Sequence, residues 1–243
     1  MSADFSNIRV VITGGTDGIG LELARLLSSL GAELVIVGRR DADDFALPAG
    51  CHYIQADLSI PQALEIISKK VTAIGFDEGI DHLVLNASIG YVGPVVEEAD
   101  EALLSLLTVN LKGPLALCQS LYPALAARRG SVCFISSTAA GSATPDFASY
   151  TASKTAINHF ADNLEIEWQD RVKVQVVSPG PTRTAFHKKA GMDEPPMAGL
   201  FMKPQEVAHG IVKALVSGKR RKGYSMLALM LFATKRALFG GVA

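Results

Sequence analysis

The chain has 243 residues, of which 49% are hydrophobic, and a formal net charge of −1 at neutral pH. That length suits one large α/β domain with a well-buried core, and the balanced charge excludes a nucleic-acid surface built on general basicity. Three cysteines, Cys51, Cys118 and Cys133, lack metal-ligand spacing; their odd count and the absence of a signal-like layout in the opening residues predict a cytoplasmic protein.

Short β-branched runs alternate with longer amphipathic ones. "IRVVIT" at 8–13 reads as a buried strand, and a helix over 20–30 follows, stopped by Gly31. "ELVIVG" at 33–38 and "HYIQA" at 52–56 read as the next two strands, with a helix from Pro61 to about Val71. "DHLVLNA" at 81–87 is a fourth strand. A long helical region spans 98–128, with a possible break near Gly113–Pro114. "SVCFISS" at 131–137 and "VKVQVVSP" at 172–179 are the fifth and sixth strands, separated by the helix that holds Tyr150. Alternating strands and helices predict a parallel sheet, and near-continuous apolar strands predict helices on both of its faces. There is no repeat or composition break. The expected fold is therefore a single α/β domain over 1–243, a doubly wound Rossmann-type sheet of about seven strands.

Between the first strand and its helix lies "TGGTDGIG", Thr13 to Gly20. Glycines at 14, 18 and 20 let backbone amides approach a pyrophosphate, and the helix N-terminus adds its positive dipole end. The second strand ends at Gly38 without the acidic residue that would take the ribose hydroxyls of NAD. Arg39, next in line, could pair with the 2′-phosphate of NADP, or be part of a solvated basic loop. Asp17 opposes a phosphate nearby, because like charges repel. NADP is the preferred reading and NAD the alternative. Asp57 follows the third strand, where it could accept from an adenine edge or cap the helix that "DLSIP" introduces.

"SYTASKTA" at 149–156 puts Tyr150 and Lys154 one turn apart on the stripe that carries Ile157, Ala161, Leu164 and Trp168. A lysine aimed at a core is costly unless it is partnered. Taken alone, the pair could be a core tyrosine beside a snorkelling lysine.

The series "TGGTDGIG", "NAS" at 86–88, "VN" at 109–110, "ISS" at 135–137, "YTASK" at 150–154 and "SPGPTRT" at 178–184 resembles the short-chain dehydrogenase/reductase family, from about residue 8 to 217. The resemblance implies a nicotinamide-dependent oxidoreductase acting on an alcohol or carbonyl compound; the alternative is a catalytically silent dinucleotide-sensing protein of the same fold, which the complete set of Ser137, Tyr150, Lys154 and Asn110 opposes. It implies a catalytic set of Asn110, Ser137, Tyr150 and Lys154, with Ser136 as the fallback for the serine. It also implies a cofactor surface: Thr13, Gly14, Thr16, Asp17, Gly18, Ile19 and Gly20 around the phosphates; Arg39, Asp57 and Leu58 toward the adenosine; Asn86 and Ala87 beside the ribose. Lys154 would bind the nicotinamide ribose. Thr184 and the backbone near Thr182 would hold the carboxamide, above a turn shaped by Pro179 and Gly180. On this reading Lys154 lowers the phenol pKa of Tyr150 from its usual value of about 10, Ser137 donates to the substrate oxygen, and Asn110 holds a water that relays protons. Leu85 and Ser88 depart from the common pattern; Ser88 would be strained if its position requires a positive φ.

The irregular segment 185–203, with Phe186, Met192, Met197, Leu200, Phe201 and Met202, reads as an apolar insertion that either covers a hydrophobic substrate or uses these residues to pack itself down. The five histidines form no metal pattern, so no metal is expected. The apolar stretch "MLALMLFA" lies in the tail 224–243 and is too short to span a bilayer. It reads as a packed helix or subunit contact, with a peripheral membrane foot as the alternative. The resemblance implies a homodimer or homotetramer.

Overall fold

The computed structural model describes residues 4–193 and 198–219 and the backbone of 221–223. Its centre is one parallel sheet whose strands are near-continuous apolar runs: β1 (Arg9–Thr13), β2 (Glu33–Gly38), β3 (Cys51–Gln55), β4 (His82–Leu85), β5 (Ser131–Ile135), β6 (Lys173–Ser178) and β7 (Arg221–Gly223). The spatial order is β3-β2-β1-β4-β5-β6-β7. The order reverses between β1 and β4, where Thr13 pairs with Leu85, so a crevice opens above the carboxyl ends of those two strands.

Side-chain alternation along the strands builds two cores. On one face Val11, Val35, Leu83, Val132 and Val176 meet α2 (Ala63–Ala73), α4 (Gly113–Ala127) and α5 (Ala148–Trp168). On the other, Val10, Ile12, Ile36, Val84 and Val177 meet α1 (Gly18–Ser29) and α7 (Pro204–Ser217). Burial on both faces is what these uninterrupted β-branched strands require.

The region over Asp100–Ala127 is apolar and long enough to cross a membrane by length and composition. Its Leu117, Leu121 and Leu125 are packed into the first core. It consists of α3 (Asp100–Leu107), one wide π-helical turn over Thr108–Lys112, and α4. Proline lacks an N–H, so Pro114 offers no bond to its i−4 acceptor, the carbonyl of Asn110. The break lies just ahead of the predicted Gly113–Pro114 position. The segment between β6 and α7 holds a four-residue helix, α6 (Phe186–Lys189), and is fastened at its base by a bridge between Thr182 and Met202. The tail 224–243 lies outside the described residues.

Candidate active site

The crevice begins at the glycine turn. Asp17 caps α1, its carboxylate accepting from the Gly18 amide at 2.7 Å. Gly18 has a φ of +52° and lies against Thr184: a Cβ there would stand 2.9 Å from the Thr184 methyl. At Gly20 a Cβ would come within 2.2 Å of the Gly14 carbonyl oxygen, so the helix can start this close to the strand only without a side chain. The Asn86 amide donates to the carbonyls of Thr13 and Gly14 at 3.1 and 3.0 Å. The Thr13 hydroxyl accepts from the amides of Asn86 and Ala87, each at 3.1 Å. These two side chains therefore stitch the turn to β4. Thr16 is buried, and Ile19 packs against the second core.

At the end of β2, Arg39 is exposed. Its neighbour Arg40 is the arginine held against the glycine turn, donating to the carbonyls of Thr16, at 3.2 Å, and Asp44, with its guanidinium 5.4 Å from the Phe45 ring centroid. Beyond β3, Asp57 accepts from the amide and hydroxyl of Ser59 at 2.9 and 2.8 Å, a tight side-chain turn. The Leu58 side chain is in the core.

The reactive cluster forms where α5 crosses the end of β5. Lys154 is 3% exposed, donates to the Ile135 carbonyl at 2.9 Å, and lies 5.8 Å from the centre of the Tyr150 ring. The two registers of the serine separate cleanly. Ser136 donates to the Lys154 carbonyl at 3.5 Å, whereas the Ser137 hydroxyl accepts from the Ala139 amide at 3.1 Å and faces the Tyr150 phenol. Burial pushes the phenol up to about 12, opposed by the nearby Ser137 hydroxyl, and pushes the Lys154 ammonium down to about 8. Desolvation, not the lysine charge, dominates both groups. The Tyr–Lys spacing predicts an acidified phenol; here burial is the larger influence and raises the phenol instead.

Asn110 is 1% exposed and fully engaged. Its side-chain oxygen accepts from Ser88 and the Ile89 amide at 3.2 and 2.9 Å; its amide donates to the Ile89 carbonyl and Ser153 at 2.8 and 3.1 Å. This side chain ties the loop after β4 to α5 and does not reach out to hold a water. Ser88 has no positive φ, so the anticipated strain is absent, and its hydroxyl joins the Asn110 network instead.

The far wall comes from β6 onward. The Pro179 carbonyl accepts from Thr138 at 2.9 Å, and Gly180 is buried beneath the turn. Thr182 spends its hydroxyl on the Gly180 carbonyl at 2.8 Å. The Thr184 hydroxyl accepts from the Phe186 amide at 3.2 Å, which leaves its own proton to donate. Phe186 then stacks toward Tyr150, and the Ala190 carbonyl accepts from Val92 at 2.8 Å. A cavity of about 530 Å³ lies between the α1 N-terminus and this segment, lined by Asp17, Gly18, Thr184, His187 and Phe201. Sequence reasoning missed Arg40, Ser153 and Lys189; the last ion-pairs with Asp17 at 2.5 Å. Among the described residues there is no group of three or more His, Cys, Asp or Glu able to hold a metal.

A turn stripped of side chains, the first-turn amides of α1, and a neighbouring hydroxyl–phenol–ammonium cluster fit a nicotinamide dinucleotide. The sequence profile of the short chain dehydrogenase family matches residues 9–195. Dehydrogenase/reductase SDR family member 7B of Bos taurus is 32% identical, over 91% of this chain and 74% of that protein. Dehydrogenase/reductase SDR family member 4 of Homo sapiens is 31% identical, over 78% and 71%. Among solved structures, a protein of Beutenbergia cavernae assigned as an NAD(P) dependent gluconate 5-dehydrogenase, with NADP bound at low occupancy, is 26% identical with a TM-score of 0.74, over 87% of this chain and 90% of that one. The chain belongs to the short-chain dehydrogenase/reductase family of oxidoreductases.

Proposed function

We propose that this protein transfers a hydride between the nicotinamide of NADP(H), in preference to NAD(H), and an apolar alcohol or ketone, with Tyr150 as the acid/base. The observation that carries this reading is the meeting of Ser137, Tyr150 and Lys154 above β5, beside the glycine turn. The bound coenzyme supplies the hydride. The protonated phenol is set to donate to a carbonyl oxygen, and in the reverse direction to take the proton back. The Ser137 hydroxyl supports the same oxygen as its charge grows. Lys154 gives one of its three donors to Ile135 and can turn the others to ribose hydroxyls.

The NADP preference is supported by Gly38 and the exposed Arg39 at the end of β2, and by the NADP of the Beutenbergia cavernae relative. The apolar substrate is supported by Phe147 and Phe186 around Tyr150; 185–203 is the segment that would cover it. Exposed Leu104 and Ile166 support a homodimer or homotetramer, and three unpaired cysteines suit a cytoplasmic location. The experiment is a coenzyme-oxidation screen against a panel of small polar and larger apolar ketones, run with NADPH and NADH. Faster turnover of apolar ketones with NADPH is expected; no oxidation of either coenzyme across the panel rejects the reading.

A further inference from the structure

The glycine turn contains a charge that its task does not want. A helix N-terminus attracts anions through its free amides and dipole. Asp17, however, occupies the cap of α1 and brings a carboxylate to that place. For the helix an aspartate cap is favourable. For a dinucleotide diphosphate arriving at the same amides it is repulsive.

The two oxygens of Asp17 are divided. Oδ1 accepts from the Gly18 amide at 2.7 Å, while Oδ2 takes the Lys189 ammonium at 2.5 Å. Lys189 is 172 residues away in sequence, at the end of α6. Burial alone would raise the Asp17 carboxyl. The Lys189 hydrogen bond and charge, the Gly18 amide and the more distant Arg40 outweigh it and hold the carboxyl below its ordinary range. Arg40 acts on Asp17 only through its charge, and its two terminal nitrogens bond the carbonyls of Thr16 and Asp44. His187, on the same short helix, packs between the rings of Phe186 and Phe201.

We infer that Lys189 masks the charge of Asp17 and is thereby a positioning residue for the coenzyme diphosphate, so that the segment over the substrate side also sets coenzyme affinity. The inference rests on the coenzyme reading above. As an isolated surface pair the contact would add little to stability. Its effect falls on a third, doubly charged group close by.

The test is equilibrium binding of NADPH to the full chain, followed by its fluorescence, for wild type, Lys189→Ala, Lys189→Arg, Asp17→Asn and the double variant Asp17→Asn/Lys189→Ala. Asparagine preserves the cap, and Lys189 is half-exposed, so all variants should fold; thermal melting checks this. Lys189→Ala is expected to bind about fivefold more weakly at low ionic strength, about 1 kcal/mol, with the gap closing in roughly 0.5 M salt. Lys189→Arg should match wild type. The double variant should return to the affinity of Asp17→Asn. Wild-type affinity in Lys189→Ala overturns the inference. So does a double variant as weak as Lys189→Ala, which would make the lysine a direct contact. Failure of wild type to bind either NADPH or NADH would instead sink the coenzyme reading, and the inference with it.

Discussion

The ring of Phe186 lies 5.1 Å from the ring of Tyr150, tilted by 53°. Phe147 stands on another side, 6.1 Å away and nearly edge-on. Gly90 makes the room: a Cβ there would be 2.6 Å from the tip of Phe186. The phenol is thus screened by a ring that the segment after β6 delivers, and on the proposed reading that ring would limit substrate shape. Phe186→Ala should raise kcat/KM for bulky ketones relative to small ones by about tenfold. A substrate panel checks this; an unchanged ratio removes Phe186 from the substrate wall.

Tyr150→Phe deletes only the hydroxyl. Turnover should fall by about 10³-fold, within the usual range for a lost acid, while NADPH binds within about twofold of wild type. Ser137→Ala should cost about 10²-fold, and Ser136→Ala much less, because Ser136 faces the Lys154 carbonyl. Single-turnover kinetics with titrated coenzyme separates these effects.

Arg39→Asp should move the NADPH/NADH ratio of kcat/KM toward NADH by more than tenfold, through loss of a cation and gain of an anion facing the 2′-phosphate. An unmoved ratio would pass that role to Arg40.

Replacing Asn110 by Leu leaves the Ile89 amide and carbonyl without their side-chain partners. A buried polar group left unmatched costs about 1–3 kcal/mol. The expected loss is about 2–4 kcal/mol, a fall in Tm of roughly 5–12 °C, visible by calorimetry in the coenzyme-free protein.

His82 opens the central strand β4, at the end of the sheet away from the crevice, with its Nδ1 2.8 Å from the Ser131 hydroxyl. Burial holds its pKa down to about 4; Asp81 works to raise it and Lys173 to lower it further. The stability that neutral His82 contributes is complete above about 6.5, its unfolded value, and is lost as pH falls toward 4. Across that window the stability of wild type should drop more steeply than that of His82→Gln, by at most about 1.4 kcal/mol per pH unit. Urea midpoints taken in pH steps measure the difference; parallel curves would contradict it.

Six strands were legible because each is an apolar run that both faces of the sheet demand. The seventh, Arg-Lys-Gly at 221–223, has no such composition and exists through pairing to β6. β4 stops at Leu85, short of residue 87, because Asn86 turns to bond the glycine loop. α7 carries its signals openly, with Pro204 in its first turn, Glu206 at N3 and Gly218 at φ +62° after its end. The four residues of α6 are too few to show a period. Tyr150 and Lys154 were legible because helical spacing is local. The Asp17–Lys189 pair was not, since no local rule joins residues 172 apart, and the raised phenol reflects burial that spacing alone does not measure.

The wide turn over Thr108–Lys112 has a consequence for chain length rather than chain chemistry. It accommodates one residue more than an α-helical path would. Deleting one of its residues should close the turn to regular winding and leave α4 in phase, with Leu117, Leu121 and Leu125 still on the sheet. A single-codon loss there should therefore be felt at the Asn110 network, which the wide turn positions, more than in the packing of α4.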